Sequence, residues 1–241
     1  MPQSDPRNKS LDWIADVIRH RGVLGAFGYY RRAAVEFLRD LTPQRRRSRY
    51  GDTDYDFDHQ VDTTWATVSL RTRLRELVSG ARYQPSEPEL FHEILRALPV
   101  SPEGFTFIDL GSGKGRTLLM ASDHPFRRII GVELLEELDR VAQQNIASYH
   151  SEQQECFNIE VQCDDARQFQ FPEKPLVLYL FNPFPDYVLQ VVLERLRLSV
   201  VSHPREVYVI YHNLVHDDLF KARPWLQEMR RTHQYVIYRA G

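Results

Sequence analysis

Phe107-Ile108-Asp109-Leu110-Gly111-Ser112-Gly113-Lys114-Gly115-Arg116 is the stretch on which the reading of this chain turns. An apolar run ends in an acid, and a glycine-rich turn then opens a helical pattern. Glycines at such a turn permit positive φ and let a ligand approach the backbone closely. The helix behind the turn presents free N–H groups. A phosphate-cradling loop needs Gly-Lys followed by Ser or Thr, with another Gly five places earlier. Here Gly115 follows Lys114 and Ile108 holds the earlier place, so that reading fails. The dinucleotide fingerprint needs Gly or Ala at its sixth position, which is Arg116. An acid directly before the turn would repel a pyrophosphate and suits a ligand carrying positive charge.

Downstream, apolar runs alternate with helical patterns. Strands are expected at 105–110, 128–132, 158–162, 175–181, 206–212 and 234–239. Helices are expected at 114–122, 134–149 and 186–200, with a short one near 217–230. Runs such as Leu176-Val177-Leu178-Tyr179-Leu180-Phe181 suit strands buried on both faces. The alternation implies an α/β fold with a doubly wound, mostly parallel sheet. Three further signals close strands at the same edge, where open α/β sheets bind ligands. They are Gly131-Val132-Glu133, Asp164-Asp165-Ala166 and Phe181-Asn182-Pro183-Phe184.

Together these segments resemble the class I, seven-β-strand methyltransferases that use S-adenosylmethionine (SAM), over about residues 83–213. The resemblance implies a Rossmann-like methyltransferase domain at 83–241 whose cofactor carries a sulfonium and an ammonium. It assigns cofactor binding to Asp109, Gly111, Ser112, Gly113 and Gly115, with Glu133 accepting the ribose hydroxyls. Asp165, directly before Ala166, is the expected reader of adenine with the Ala166 N–H. No role is assigned to Lys114, expected as a solvated lysine at a helix start. The family usually ends in a two-strand hairpin. Here one strand is clear, and its partner either hides near 214–222 or is absent.

Asn182-Pro183-Phe184 resembles the amino-methyltransferase signature in which an Asn holds the target nitrogen and an aromatic stacks on it. It is taken as the catalytic segment, with Asn182 also at the cofactor. Tyr83-Gln84-Pro85-Ser86-Glu87-Pro88 resembles a segment of the non-SET seven-strand protein-lysine methyltransferases. By that resemblance Tyr83 and Ser86 close the cofactor pocket, while Ser86 also suits a cap for a helix at 87–97. A lysine must lose its proton before attack, and a desolvated aromatic channel favours its neutral form. Tyr179, Phe181, Phe184 and Tyr211 are candidates to line it, with His212 or Asn213 near the substrate. The expected activity is N-methylation of an amine, a protein lysine favoured. A nucleic-acid base or a small amine is the alternative acceptor, and an inactive SAM-binding scaffold the alternative class.

Upstream, residues 1–82 are expected as an N-terminal helical cap with an acidic loop. Helices are read at 11–21, 23–41 and 65–79, with Trp13, Tyr50 and Trp65 as apolar anchors. A basic amphipathic membrane-surface helix is the alternative. The first 50 residues hold eleven Lys/Arg against five acids, including the Arg45–Arg49 cluster. Asp52, Asp54, Asp56 and Asp58 alternate as in a calcium loop, whose sixth and twelfth positions need Gly and a bidentate acid. Phe57 and Thr63 stand there, so an acidic loop is expected instead and no metal.

Across all 241 residues, 31 basic against 33 acidic residues exclude a globally basic nucleic-acid binder. Two cysteines, Cys156 and Cys163, supply neither a disulfide framework nor a zinc site. There is no apolar run of membrane-spanning length and no secretory pattern at the start. A cytoplasmic protein is therefore expected, with a methyl acceptor as its partner.

Overall fold

The computed structural model describes residues 6–40, 53–64, 68–69, 72–73, 84–181 and 183–241. By its contacts the chain divides into two compact units. One comprises Met1–Gly51 and Thr64–Gln84; the other comprises Asp52–Thr63 and Pro85–Gly241. In the first, α1 (Pro6–Asp40) is kinked at Gly22, whose φ of 68 and ψ of 170 are not helical. That break separates the two helices expected at 11–21 and 23–41, and only glycine tolerates it without strain. Trp13, Val17 and Ala26 are its buried positions among the described side chains. Tyr50, Trp65, the Arg45–Arg49 cluster and nearly all of the helix expected at 65–79 lie outside the described residues.

The second unit contains α2 (Thr53–His59), α3 (Pro88–Arg96), β1 (Thr106–Leu110), α4 (Arg116–Ser122), β2 (Arg128–Glu133) and α5 (Glu136–Ser148). It continues with β3 (Ile159–Cys163), β4 (Leu176–Phe181), α6 (Asp186–Ser202), β5 (Val207–His212), α7 (Asp217–Lys221), β6 (Leu226–Arg231) and β7 (Tyr235–Ala240). The strands form one seven-stranded sheet in the order β3-β2-β1-β4-β5-β7-β6. Strands β1 to β5 pair in parallel, and β7 is antiparallel to both β5 and β6. This is the expected doubly wound α/β class.

Two cores account for the doubly apolar strands. On one face Ile108, Leu178, Leu180, Val209 and Tyr211 pack with Leu189, Val192 and Leu196 of α6. On the other, Phe107, Val177, Tyr179 and Ile210 pack with Phe91 and Ile94 of α3 and Leu118–Ala121 of α4.

The C-terminus corrects the sequence reading. The helix near 217–230 is confined to Asp217–Lys221, and the missing strand is Leu226–Arg231. It is neither absent nor at 214–222. β6 escaped detection because Leu-Gln-Glu-Met-Arg-Arg is an edge strand with one buried residue, Leu226, and charged edges carry no apolar run. The acidic segment is a second correction: it is not a bare loop but contains α2, docked within the unit that carries the sheet. Among the described residues no helix is long and apolar enough to cross a membrane.

Candidate active site

The sheet order reverses between β1 and β4, and the carboxyl ends at such a switch point are where open α/β sheets bind ligands. The glycine loop leaves β1 at that point. Gly111 (φ 90), Gly113 (φ 55) and Gly115 (φ 84) all lie in the left-handed region, which disfavours side-chain-bearing residues. Gly115 is the N-cap of α4. At Gly111 the approach is closest: a Cβ there would come within 2.5 Å of the Pro183 Cβ. The loop after β1 and the turn after β4 therefore touch, which brings Pro183 to the glycine loop.

Asp109 and Glu133 are both buried. Burial is the main force raising the Asp109 carboxyl to about 7; the Thr117 hydroxyl, which donates to Asp109 Oδ2, opposes it, and the Glu133 charge adds to it. Burial likewise raises Glu133 to about 7, against backbone N–H bonds that hold it down. Gly113 N–H donates to Glu133 Oε2 at 2.8 Å and Leu135 N–H to Oε1 at 2.8 Å. Both carboxyls are thus buried beside one loop, which is costly for their charged forms unless a positive ligand arrives. In the same loop the buried Ser112 Oγ has no hydrogen-bond partner among the described residues. Such orphaned atoms are rare in proteins and ask for a partner. These residues fit a cationic, hydroxyl-bearing ligand such as SAM.

The other sequence-derived positions are less uniform. Asp165 is paired with its own neighbour: Arg167 donates to Asp165 Oδ2 from Nη2 at 2.6 Å and from Nε at 3.0 Å. Ala166 is buried in the α6-side core. Asp164 is exposed and accepts the Asp165 N–H at 2.7 Å. Pro183 is buried and Phe184 half-buried, whereas Tyr83 and Asn182 lie outside the described residues.

Ser86 is buried but does not cap α3. The N-cap is Glu87, with no side-chain bond, and Ser86 Oγ lies 3.2 Å from Tyr179 Oη. Tyr179 Oη is in turn 2.8 Å from His212 Nδ1. The imidazole stacks on Phe181 with centroids 4.3 Å apart and an interplanar angle of 14°. Burial lowers the His212 pKa to about 4, so the ring is neutral near pH 7. The four-aromatic channel is corrected by strand alternation. Tyr179 and Phe181 face the α3/α4 side, whereas Tyr211 and Phe184 join the α6 side. There Tyr211 Oη accepts the His216 N–H.

Lys114 is the largest departure from expectation. It is 1% exposed rather than solvated, and its Nζ donates to Asp62 Oδ1 at 2.8 Å. Lys114, Asp62 and Asn145 were not among the assigned site residues, and the hydrogen-bonded link that joins Ser86, Tyr179 and His212 was not foreseen. Only the placement of Asp62 in an acidic run and of His212 at a strand end hinted at them.

No family model matches the chain, and no curated protein matches it. Solved structures do. Magnesium protoporphyrin IX methyltransferase from Synechocystis PCC 6803, with bound SAM, is 13% identical, with a TM-score of 0.49 over 78% of this chain and 93% of its own. A SAM-dependent methyltransferase from Aquifex aeolicus is 14% identical, with a TM-score of 0.48 over 65% of this chain and 100% of its own. An RNA methyltransferase from Salinibacter ruber, in complex with S-adenosyl-L-homocysteine, is 21% identical, with a TM-score of 0.43 over 65% and 92%.

Proposed function

We propose that this chain is a SAM-dependent N-methyltransferase acting on an amine, with a protein lysine as the favoured acceptor. One observation carries the cofactor reading: two buried carboxyls, Asp109 and Glu133, flank a glycine loop whose Ser112 Oγ has no hydrogen-bond partner among the described residues. When bound, SAM supplies a methyl group on a positively charged sulfur. The chain's own part is to hold that charge and to exclude water. Asp109 and Glu133 answer the positive charge, and Glu133 also accepts the ribose hydroxyls. Gly111, Gly113 and Gly115 keep the backbone close, and Ser86 closes the pocket. Asp165 and the Ala166 N–H read adenine once Asp165 exchanges Arg167 for the base.

Methyl transfer is an in-line displacement, so the acceptor nitrogen needs its lone pair free and aimed. Asn182, Pro183 and Phe184 hold it, and the contact of Pro183 with Gly111 ties that turn to the cofactor loop. The neutral His212, oriented by Tyr179 and the Phe181 stack, is a further polar group for an N–H of the acceptor. An apolar surround there lowers an amine's pKa and favours the neutral nucleophile.

The test uses SAM labelled in its methyl group with host lysate split into protein, nucleic-acid and small-molecule fractions, and Glu133→Ala as the blank. Label in protein, stable to acid and base, supports lysine. Label in RNA, DNA or small amines overturns the acceptor and keeps the enzyme. SAM binding without label in any fraction overturns the activity in favour of a scaffold.

A further inference from the structure

A lysine is almost never fully buried unless it is paired, because burying an ammonium is costly before its partner is counted. Lys114 bears that cost in the middle of the glycine loop. Its partner Asp62 comes from the segment that follows α2, 52 residues earlier in the chain. One side chain of α5 ties the two together. Asn145 Nδ2 donates to the Asp62 carbonyl at 2.8 Å and to the Lys114 carbonyl at 2.9 Å, and Asn145 Oδ1 accepts the Asp62 N–H at 2.8 Å. Both backbone polar groups of Asp62 and one of Lys114 are therefore satisfied by a single buried amide.

The rest of segment 53–63 is fastened alongside. The Arg116 guanidinium, at the start of α4, lies 4.3 Å from the Tyr55 ring centroid. The His59 ring nitrogen Nδ1 is 3.0 Å from the His150 carbonyl oxygen, and Ser148 Oγ donates to the Gln60 carbonyl at 3.2 Å. Asp56 accepts the Thr63 N–H at 2.7 Å and the Thr63 hydroxyl, which closes the turn. Gln60 is held at φ 56, a left-handed conformation that a non-glycine residue keeps only when its surroundings over-determine it.

A loop with three left-handed glycines is entropically expensive to order. Fixing the Lys114 carbonyl fixes the Lys114–Gly115 peptide, one residue beyond Gly113, whose N–H meets Glu133. We infer that Asp62 and Asn145 are positioning residues for the cofactor loop, acting through Lys114, so that segment 53–63 is a working part of the cofactor site. The inference rests on the SAM reading above. The docked segment and the binding-ready loop are one state, so cofactor affinity and docking are coupled reciprocally.

The experiment measures SAM affinity by calorimetry, and amide hydrogen exchange over residues 53–64, on the full chain. Wild type is compared with Asn145→Ala and with Asp62→Asn, whose site is 43% exposed and so tolerant if Asn145→Ala fails to fold. The expected result is that SAM slows exchange of the Val61–Thr63 amides in wild type, and that each variant weakens SAM binding about tenfold or more. In the variants SAM no longer slows that exchange. A lowered melting temperature with unchanged SAM affinity would mean a merely structural clasp and would overturn the inference. So would slowed exchange in the glycine loop alone. Absence of SAM binding in wild type overturns the cofactor reading itself, and is distinguished by that.

Discussion

Asp109 and Glu133 hold protons that ordinary carboxylates give up. Their folded pKa of about 7 exceeds the usual value near 4. Between those values the folded protein binds more protons than the unfolded chain, so their contribution to stability is present below about pH 4 and lost as pH rises through 7. Removing one charge should relieve this. Asp109→Asn keeps an oxygen for Thr117 and is expected to raise stability at pH 8 by about 1–3 kcal/mol while abolishing SAM binding. Thermal melts at pH 5 and pH 8, with calorimetric titration, check both halves; a variant no more stable at pH 8 than wild type refutes the first. A cationic ligand prefers the ionised acids, so SAM affinity should climb with pH up to about 7 and level off above. Proton release, read as heats that differ between buffers of unlike ionisation enthalpy at pH 6.5, is the direct measure. His212 and His124 have the opposite sign. Burial lowers both to about 4, so the stability they contribute is present above about pH 6.5 and is lost as pH falls toward 4.

At the scale of elements, the loop after β1 is built on contact rather than propensity. Gly111→Ala would set a Cβ 2.5 Å from that of Pro183 at a φ of 90. It should therefore displace the β4 turn, weaken SAM binding at least tenfold and lower stability by about 2 kcal/mol or more. Gly104→Ala, with nothing within 4 Å, is the matched control and should be near neutral in calorimetric melts and SAM titration. Positive φ at three glycines and the close approach of Gly111 to Pro183 explain why this loop was readable: the residue types that permit the geometry are rare and local. The same holds for β1, β2, β4 and β5, whose doubly buried apolar runs leave little ambiguity. Elements defined by distant partners were not readable. β6 shows one buried side chain and owes its existence to β7, while α2 shows alternating acids that mimic a loop. Nothing local tells that Lys114 is buried, because its partner Asp62 and the shared amide of Asn145 lie 52 and 31 residues away. Besides its expected place at the cofactor pocket, Ser86 suited a helix cap on local grounds, and a tertiary bond to Tyr179 won over the cap.

At the scale of the whole molecule, the unit that carries the sheet is discontinuous in sequence: Asp52–Thr63 belongs to it, and Thr64–Gln84 does not. A chain of two units need not melt in a single two-state step. A ligand stabilises only what it binds, by RT ln(1 + [L]/Kd), which is about 2.7 kcal/mol at a hundredfold excess over Kd. For a unit of this size each kcal/mol moves the midpoint by roughly 2–4 °C, so saturating SAM should raise the transition carrying residues 85–241 by about 5–10 °C. Scanning calorimetry gives the midpoint, and hydrogen exchange at the buried β4 amides Val177–Leu180 identifies which transition moved. Asp62→Asn tests whether the segment 53–63 shares in that gain. At a fixed SAM concentration its shift should be smaller than wild type by about 1.4 kcal/mol for each tenfold loss of affinity. An equal shift in both proteins would separate the segment from the ligand and leave the sheet and glycine loop alone as the site.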